Sequence, residues 1–194
     1  MACAPLLLLL RTARLVLRPL EDTDWQAVGR IGGQPQMARM MCSLRSPWAE
    51  EDARAWIAAS AWRGTPGFRL AVCLTDGPLI GTVGLGPEPE PSCTYFIDPD
   101  HAGQGYATEA MQALVAEVIP RFGLSAITAE HFADNPASGR VLEKLGFRKT
   151  GETMGNSGAR PAPAPLVRYR LEAGALRTGR RCGPCAGATL RAQS

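Results

Sequence analysis

The chain of 194 residues has no internal repeat, which excludes solenoids, propellers and other arrays. It has no apolar run long enough to cross a bilayer. The longest run, the leucines at 6–10, falls far short of the roughly 20 residues a spanning helix needs. That run also lacks a basic leader and a small-residue cleavage site, so it reads as a lead-in to the first strand rather than a targeting segment. No disulfide framework is visible. Cys3, Cys42, Cys73, Cys93, Cys182 and Cys185 are scattered, mostly in apolar runs, as reduced thiols of a cytoplasmic protein would be. Cys182 and Cys185 have zinc-ligand spacing but lack the two further ligands a structural site needs, so no metal is expected.

Charge of one sign is missing too. The net charge is +3, but residues 173–194 hold Arg177, Arg180, Arg181 and Arg191 and no acid, which leaves the body at about −1. A near-neutral body gives no basic surface for nucleic acid. What remains is ordinary globular material, 45% hydrophobic and 20% charged, enough for one domain with a substantial core.

The hydrophobic pattern alternates between strands and helices. Leu15, Val16 and Leu17 read as a strand ended by Pro19. Asp22 and Asp24 precede a helix with Trp25, Val28 and Ile31 on one face, closed by Gly32 and Gly33. A second helix is expected over 50–63. Two strands, 68–74 and 79–85, flank Thr75-Asp76-Gly77-Pro78, a strong hairpin signal. A strand over 93–97 leads to a helix over 106–119, then a strand over 125–132. Asn135-Pro136 starts a helix that stops at Gly146, since Asn caps and Pro fits the first helical turn. Strands over 147–151 and 166–171 follow, with a Gly/Pro/Ala-rich loop over 154–165 between them. Residues 173–194 read as a disordered basic tail. The order implies an α/β domain over 11–172 with a mixed, mostly antiparallel sheet flanked by helices.

The stretch His101-Ala102-Gly103-Gln104-Gly105-Tyr106-Ala107-Thr108-Glu109-Ala110 joins a strand to a helix. Small residues at Gly103, Gly105 and Ala107 let a ligand approach the backbone, and free amides at a helix start attract anions. A pyrophosphate suits such a turn. No Gly-Lys-Ser/Thr follows, so it is not a Walker loop, and the third glycine of the dinucleotide fingerprint is absent. On these residues alone, a tight turn needing positive φ is an equal reading.

Several ordered motifs together resemble the GNAT superfamily of acetyltransferases over about residues 11–172. The glycine turn is similar to that family's coenzyme A turn. Asn135-Pro136-Ala137-Ser138 followed by Val141-Leu142-Glu143-Lys144-Leu145-Gly146-Phe147 resembles its second motif. Residues 14–20 and 79–85 are similar to its first strand and central hairpin strand. Within the superfamily the pattern looks most like the branch acting on ribosomal-protein amino termini (RimJ/RimL-like).

The resemblance implies transfer of an acetyl group from acetyl-CoA to a primary amine, with no metal. Backbone amides from Ala102 through Gly103, Gln104, Gly105, Tyr106 and Ala107, with Thr108 behind, would hold the pyrophosphate. Phe96 and Ile97 would offer a strand edge to the pantetheine arm. Asn135 would bond the pantetheine or acetyl region, or serve as a plain cap. The tyrosine that many members use as acid is replaced by Leu142, which points to Ser138 as the acid, against a plain capping role. Ile97 N–H is a candidate for the developing oxyanion.

The base is less defined. Ser92 stands where relatives often have Glu, with Tyr95 kept. Glu109 is a catalytic candidate, against an ordinary first-turn acid complementing the helix dipole. Glu88, Glu90, His101 and His131 are further candidates. The four tryptophans, Trp25, Trp48, Trp56 and Trp62, read as core or groove-lining residues. The acceptor is a protein amino terminus or a small molecule, and the protein is a monomer or homodimer. Residues 34–47 and the loop over 154–165, both expected to be irregular, would shape the acceptor pocket. Two other readings stay open: a module that binds acyl-CoA with weak or no chemistry, and a phosphate-binding domain unrelated to CoA.

Overall fold

The structure, a computed structural model, describes residues 8–176. Cys3, the pair Cys182 and Cys185, and the four arginines after position 176 lie outside the described residues. The chain runs β1 (Leu10–Arg11), β2 (Leu15–Pro19), a 3-10 turn at Asp22–Asp24, α1 (Trp25–Gly32), α2 (Pro35–Ala38) and α3 (Glu50–Ala59). Then come β3 (Phe68–Leu74), β4 (Leu79–Leu85), β5 (Ser92–Ile97), α4 (Tyr106–Phe122), β6 (Ala126–Phe132), α5 (Pro136–Leu145), β7 (Arg148–Gly155) and β8 (Ala164–Glu172).

One eight-stranded sheet has the order β1-β2-β3-β4-β5-β6-β8-β7. Every neighbouring pair is antiparallel except β5 and β6. This is the mixed, mostly antiparallel sheet the sequence implied. The parallel pair is formed at only two positions, Ser92↔Thr128 and Cys93↔Ala129. Beyond Cys93 the two strands part and the sheet opens.

Strand alternation sorts side chains to two faces. On one face Leu15, Leu17, Leu70, Val72 and Val83 pack against Met111, Leu114, Val115 and Val118 of α4, and Leu142 and Leu145 of α5 join them. On the other face Ala71 and Phe96 pack with Val28 and Ile31 of α1, Ile57 of α3 and Leu44. The helices therefore cover both faces and leave the opening between β5 and β6 as the break in the layers.

The structure extends the sequence reading in several places. The lead-in forms β1, pairing Leu10 with Leu17, and Leu8 is buried in the core. The segment expected to be irregular over 34–47 contains α2, started by Pro35 at its first turn. The helix expected over 50–63 stops at Ala59. The Ser60 carbonyl accepts from Arg69 N (2.9 Å), and Trp62 turns away to stack edge-on against Phe68. α4 continues through Pro120 to Phe122 and ends at Gly123 in the left-handed region. β7 and β8 zip as far as Gly155↔Ala164, which shortens the following loop to residues 156–163. β8 leads into a 3-10 turn at Ala173–Ala175, and Leu176 packs on the core. Among the described residues no helix is long and apolar enough to cross a membrane, and no cluster of metal-ligating side chains is found.

Candidate active site

A cavity of about 700 Å³ occupies the opening between β5 and β6. Its floor is β5. The hydrogen bonds Asp98 N to Ile80 O (2.7 Å) and Gly86 N to Ser92 O (2.8 Å) show that the even-numbered residues of β5 turn their backbone groups to β4. Tyr95 and Ile97 therefore face the opening with theirs. Of the two residues expected to supply a strand edge, Ile97 does so. Phe96 also borders the cavity, but its backbone belongs to the β4 ladder.

The glycine turn closes one end. Gly103 and Gly105 have φ of +75° and +85°, a region that favours glycine. A Cβ built on Gly103 would meet nothing within 4 Å, so the turn is open on its outer side. The first helical bond of α4 is Glu109 N to Gly105 O (3.0 Å). The amides of Tyr106, Ala107 and Thr108 precede it and have no acceptor in the helix. Ala102, Gly103, Gly105, Tyr106, Ala107 and Thr108 all line the cavity. Gln104 does not; its carbonyl accepts from Arg14 Nη1 (3.0 Å) on the far side of the turn.

Glu109 is also turned away from the cavity. Its carboxylate accepts from Thr12 Oγ1 (2.6 Å), Arg14 N (3.1 Å) and Arg14 Nε (2.7 Å). Burial pushes its pKa up, but the hydrogen bonds from Thr12 and Arg14 outweigh this and hold the carboxyl below its usual range. Arg14 in turn lies over the Tyr106 ring at 4.5 Å. Thr12, Arg14 and Glu109 thus brace the turn from behind, and Glu109 is not among the residues that line the cavity.

Asn135 and Ser138 sit where α5 begins, and both line the cavity. The Asn135 side chain accepts from Ser138 N (3.3 Å), so it caps the helix while bordering the site. Ser138 Oγ lies 2.6 Å from Tyr95 Oη, and Tyr95 Oη also lies 3.1 Å from the Ser138 carbonyl, to which it donates. Burial pushes the Tyr95 pKa up to about 12, so the phenol keeps its proton across the neutral range. Sequence reasoning named Ser138 but gave Tyr95 no role. The missing signal was spatial, since 43 residues separate the two.

The remaining candidates are distributed as follows. His131 lines the cavity, but Nδ1 donates to Phe132 O (2.8 Å) and Nε2 is buried without a partner among the described residues. A Cβ on Gly139 would stand 2.9 Å from that nitrogen, which is thus enclosed by α5. His101 borders the cavity near the Tyr106 ring. Glu90 is paired with Arg170, and Glu88 lines a separate cavity. None of the four tryptophans lines the main cavity. A carboxylate the sequence reading passed over, Glu130, does line it, paired with Arg168 at 3.0 Å. Alternation along β6 could have flagged it, because Glu130 faces away from the core side of Ala129 and His131.

The wall opposite is built by α2 and the turn after it, through Met37, Met40, Met41 and Cys42. The loop over 156–163 clasps this wall. Ser157 Oγ donates to Ala38 O (2.7 Å), and Arg160 donates to Arg39 O (2.9 Å) and Asp134 (2.7 Å) while stacking on Phe132 at 4.1 Å.

A family model described as an acetyltransferase (GNAT) domain matches residues 14–148, the span that carries the open edge, the glycine turn and Ser138. The chain belongs to the GNAT acetyltransferase family. The N-acetyltransferase YoaA of Bacillus subtilis (strain 168), itself uncharacterised, is 32% identical over 150 residues, covering 74% of this chain and 84% of its own. A GNAT-family acetyltransferase from Bacillus anthracis superposes with a TM-score of 0.75 at 22% identity, covering 86% of this chain and 99% of that one. A ribosomal L7/L12 α-N-protein acetyltransferase solved with coenzyme A superposes with a TM-score of 0.72 at 16% identity, covering 85% and 98%. At these identities the likeness is one of fold. It does not single out the ribosomal-protein branch within the GNAT superfamily. The turn and edge of this GNAT domain fit acetyl-CoA, with free amides over an open turn at one end and unpaired strand groups at Tyr95 and Ile97 at the other.

Proposed function

We propose that the protein transfers the acetyl group of acetyl-CoA directly to a primary amine, either a protein amino terminus, as in the RimJ/RimL-like branch, or a small molecule. The observation that carries this reading is the Tyr95–Ser138 pair, held at 2.6 Å beside the open edge of β5. Acetyl-CoA supplies an activated thioester. The amides of residues 103–108 hold its pyrophosphate, and the backbone of Tyr95 and Ile97 receives its extended arm. When the one phenolic proton of Tyr95 swings from the Ser138 carbonyl to Ser138 Oγ across the 2.6 Å contact, the Ser138 hydroxyl proton is freed for the departing sulfur. Ile97 N–H meets the negative charge that develops on the acetyl oxygen. An α-amine, with a pKa near 8, is largely ready as the nucleophile, so no strong base is required. Asn135 holds the start of α5, and with it Ser138, in place.

A second reading, a module that binds acyl-CoA with weak or no chemistry, draws on Leu142. This residue is fully buried where many relatives carry their acidic tyrosine. One pair of measurements separates the two. Acetyl-CoA at a hundred times its dissociation constant should stabilise the protein by about 2.7 kcal/mol, with no effect of ATP. Thiol release on adding amines then marks the enzyme, and stabilisation without release across a broad amine panel marks the module. No stabilisation by acetyl-CoA overturns both.

A further inference from the structure

Arg69 borders the acceptor side of the main cavity and, with Ser92 and Thr94, a second cavity of about 470 Å³ next to it. It is partly buried, and among the described residues no carboxylate lies within ion-pair distance of it. Its guanidinium stacks over Trp56 at 4.7 Å, and Nη1 donates to Ser60 Oγ at 3.1 Å. Glu88, which lines the second cavity, is exposed and does not pair with it. A guanidinium has five donors in a planar fork, and the neighbours named here engage only one of them.

The sheet makes room for this side chain. Arg69, Gly84 and Thr94 stand in one cross-strand row on the acceptor face. A Cβ on Gly84 would come within 2.4 Å of Arg69 Cγ, so the missing side chain lets the arginine stem lie across β4 toward β5. The cavity is lined by one carboxylate, Glu130, which is already paired with Arg168, and by the apolar side chains of Met37, Met40 and Met41. Among the described residues Arg69 is thus a cation without an internal counter-charge beside an apolar wall, a setting that complements an anionic group carried on an apolar chain.

We propose that Arg69 forms a subsite for a carboxylate on the acceptor, so that the amine acetylated here belongs to a molecule with an anionic group several bonds from its nitrogen. Burial lowers the Arg69 pKa, in keeping with a cation that lacks a counter-charge inside the protein. From Thr94 to Ile97 the strand advances about 10 Å at roughly 3.4 Å per residue, so the anion and the amine lie a short extended chain apart. A free ω-amino acid and an amino-terminal peptide segment with an acidic side chain share this chemistry. Diamines are disfavoured, because their second cation would face Arg69. The carboxylate subsite is independent of turnover; only the amine half of the proposal rests on the acetyltransferase reading.

The test compares acceptors matched in length: 6-aminohexanoate, hexylamine and 1,6-diaminohexane. A parallel set uses amidated tripeptides ending in Glu, Gln or Lys, and the set with the larger preference identifies the source. The carboxylate member should exceed the neutral one in kcat/KM by about tenfold, the equivalent of roughly 1.4 kcal/mol. Arg69→Met, which keeps the packing on Trp56, should erase that preference and leave stabilisation by acetyl-CoA unchanged. If Arg69→Met does not fold, Arg69→Lys carries the test and should keep only part of the preference. Equal rates within both sets, or an undiminished preference in the variant, overturn the proposal. If acetyl-CoA binds but no amine reacts, calorimetry with hexanoate decides. Binding lost in the Arg69 variant keeps the subsite while the enzyme reading falls, and no binding to the unmodified chain overturns the subsite itself.

Discussion

The two walls of the cavity are built on different principles. The wall of β5, the glycine turn and the start of α5 is made by short stretches of chain whose ligand-facing groups are set by local backbone geometry. Two positive-φ glycines, a row of free helix-start amides and an Asn cap define it. The opposite wall, α2 and its clasp, depends on residues far apart in the chain: Ser157 bonds Ala38 across 119 positions, and Arg160 bonds Arg39 across 121. The first wall handles a cosubstrate whose backbone contacts tolerate side-chain change. The second is tied to the rest of the fold by side-chain bonds from a distant loop and offers side chains to the cavity. The donor wall should therefore respond to substitution through chemistry and cofactor affinity, and the acceptor wall through acceptor KM.

Substitution on the donor wall should give the largest effect. Ser138→Ala should lower kcat by about 10²–10⁴-fold, the range for loss of a positioned acid, with acetyl-CoA binding retained. Tyr95 keeps its bond to the residue 138 carbonyl, so the fold of the site survives. Single-turnover thiol release measures this, and an unchanged rate would remove Ser138 from the chemistry. Gly105→Val comes next. Forcing a β-branched residue to φ +85° costs about 1–3 kcal/mol, and acetyl-CoA affinity should fall by about tenfold or more in titration calorimetry. On the acceptor wall, Arg160→Ala loosens the clasp. Its side chain is only 6% exposed and holds Arg39 O, Asp134 and Phe132. Stability should drop by about 1–2 kcal/mol and acceptor KM should rise, with acetyl-CoA affinity unchanged. A parallel loss of acetyl-CoA affinity would mean that the walls are coupled.

The smallest effect concerns pH. The Tyr95 pKa is raised to about 12 in the folded protein, so the fold retains a proton that the unfolded chain releases near pH 10. That contribution to stability is complete below pH 10 and is lost as pH rises from 10 through 12. Tyr95→Phe should therefore flatten the alkaline end of a thermal-stability profile and leave the neutral range unchanged in slope.

The same contrast explains what could be read from sequence. The hairpin strands Phe68–Leu74 and Leu79–Leu85 have the expected bounds, because Asp76 and Gly77 fix a turn locally. The stop of α5 at Gly146 was equally local. α2 was missed although Pro35 is a recognised start signal, because four residues give no periodicity to see. α4 runs three residues beyond the expected end because its packing on the sheet outweighs the bond lost at Pro120. In the site, the glycine turn was legible as a turn, and Ser138 as a residue of the first turn of α5, where it borders the cavity. The Tyr95 contact, the Arg14 brace on Glu109 and the Arg160 clasp were not, since each joins segments that only the tertiary fold brings together. Glu109 shows the difference most clearly: its place in a motif suggested chemistry, and its partners 95 and 97 positions away give it a supporting task.

The parting of β5 from β6 has a consequence for the protein outside any reaction. An unpaired strand edge is the feature that most readily templates sticking between protein chains. The outer rims of this sheet are a two-residue strand at one end and, at the other, a strand bearing Arg148, Lys149 and Glu152. The vulnerable edge is instead recessed between α5 and α2, where a folded neighbour's strand cannot dock and a slender extended arm can. The sheet keeps its one adhesive seam where only something as thin as its cosubstrate can use it.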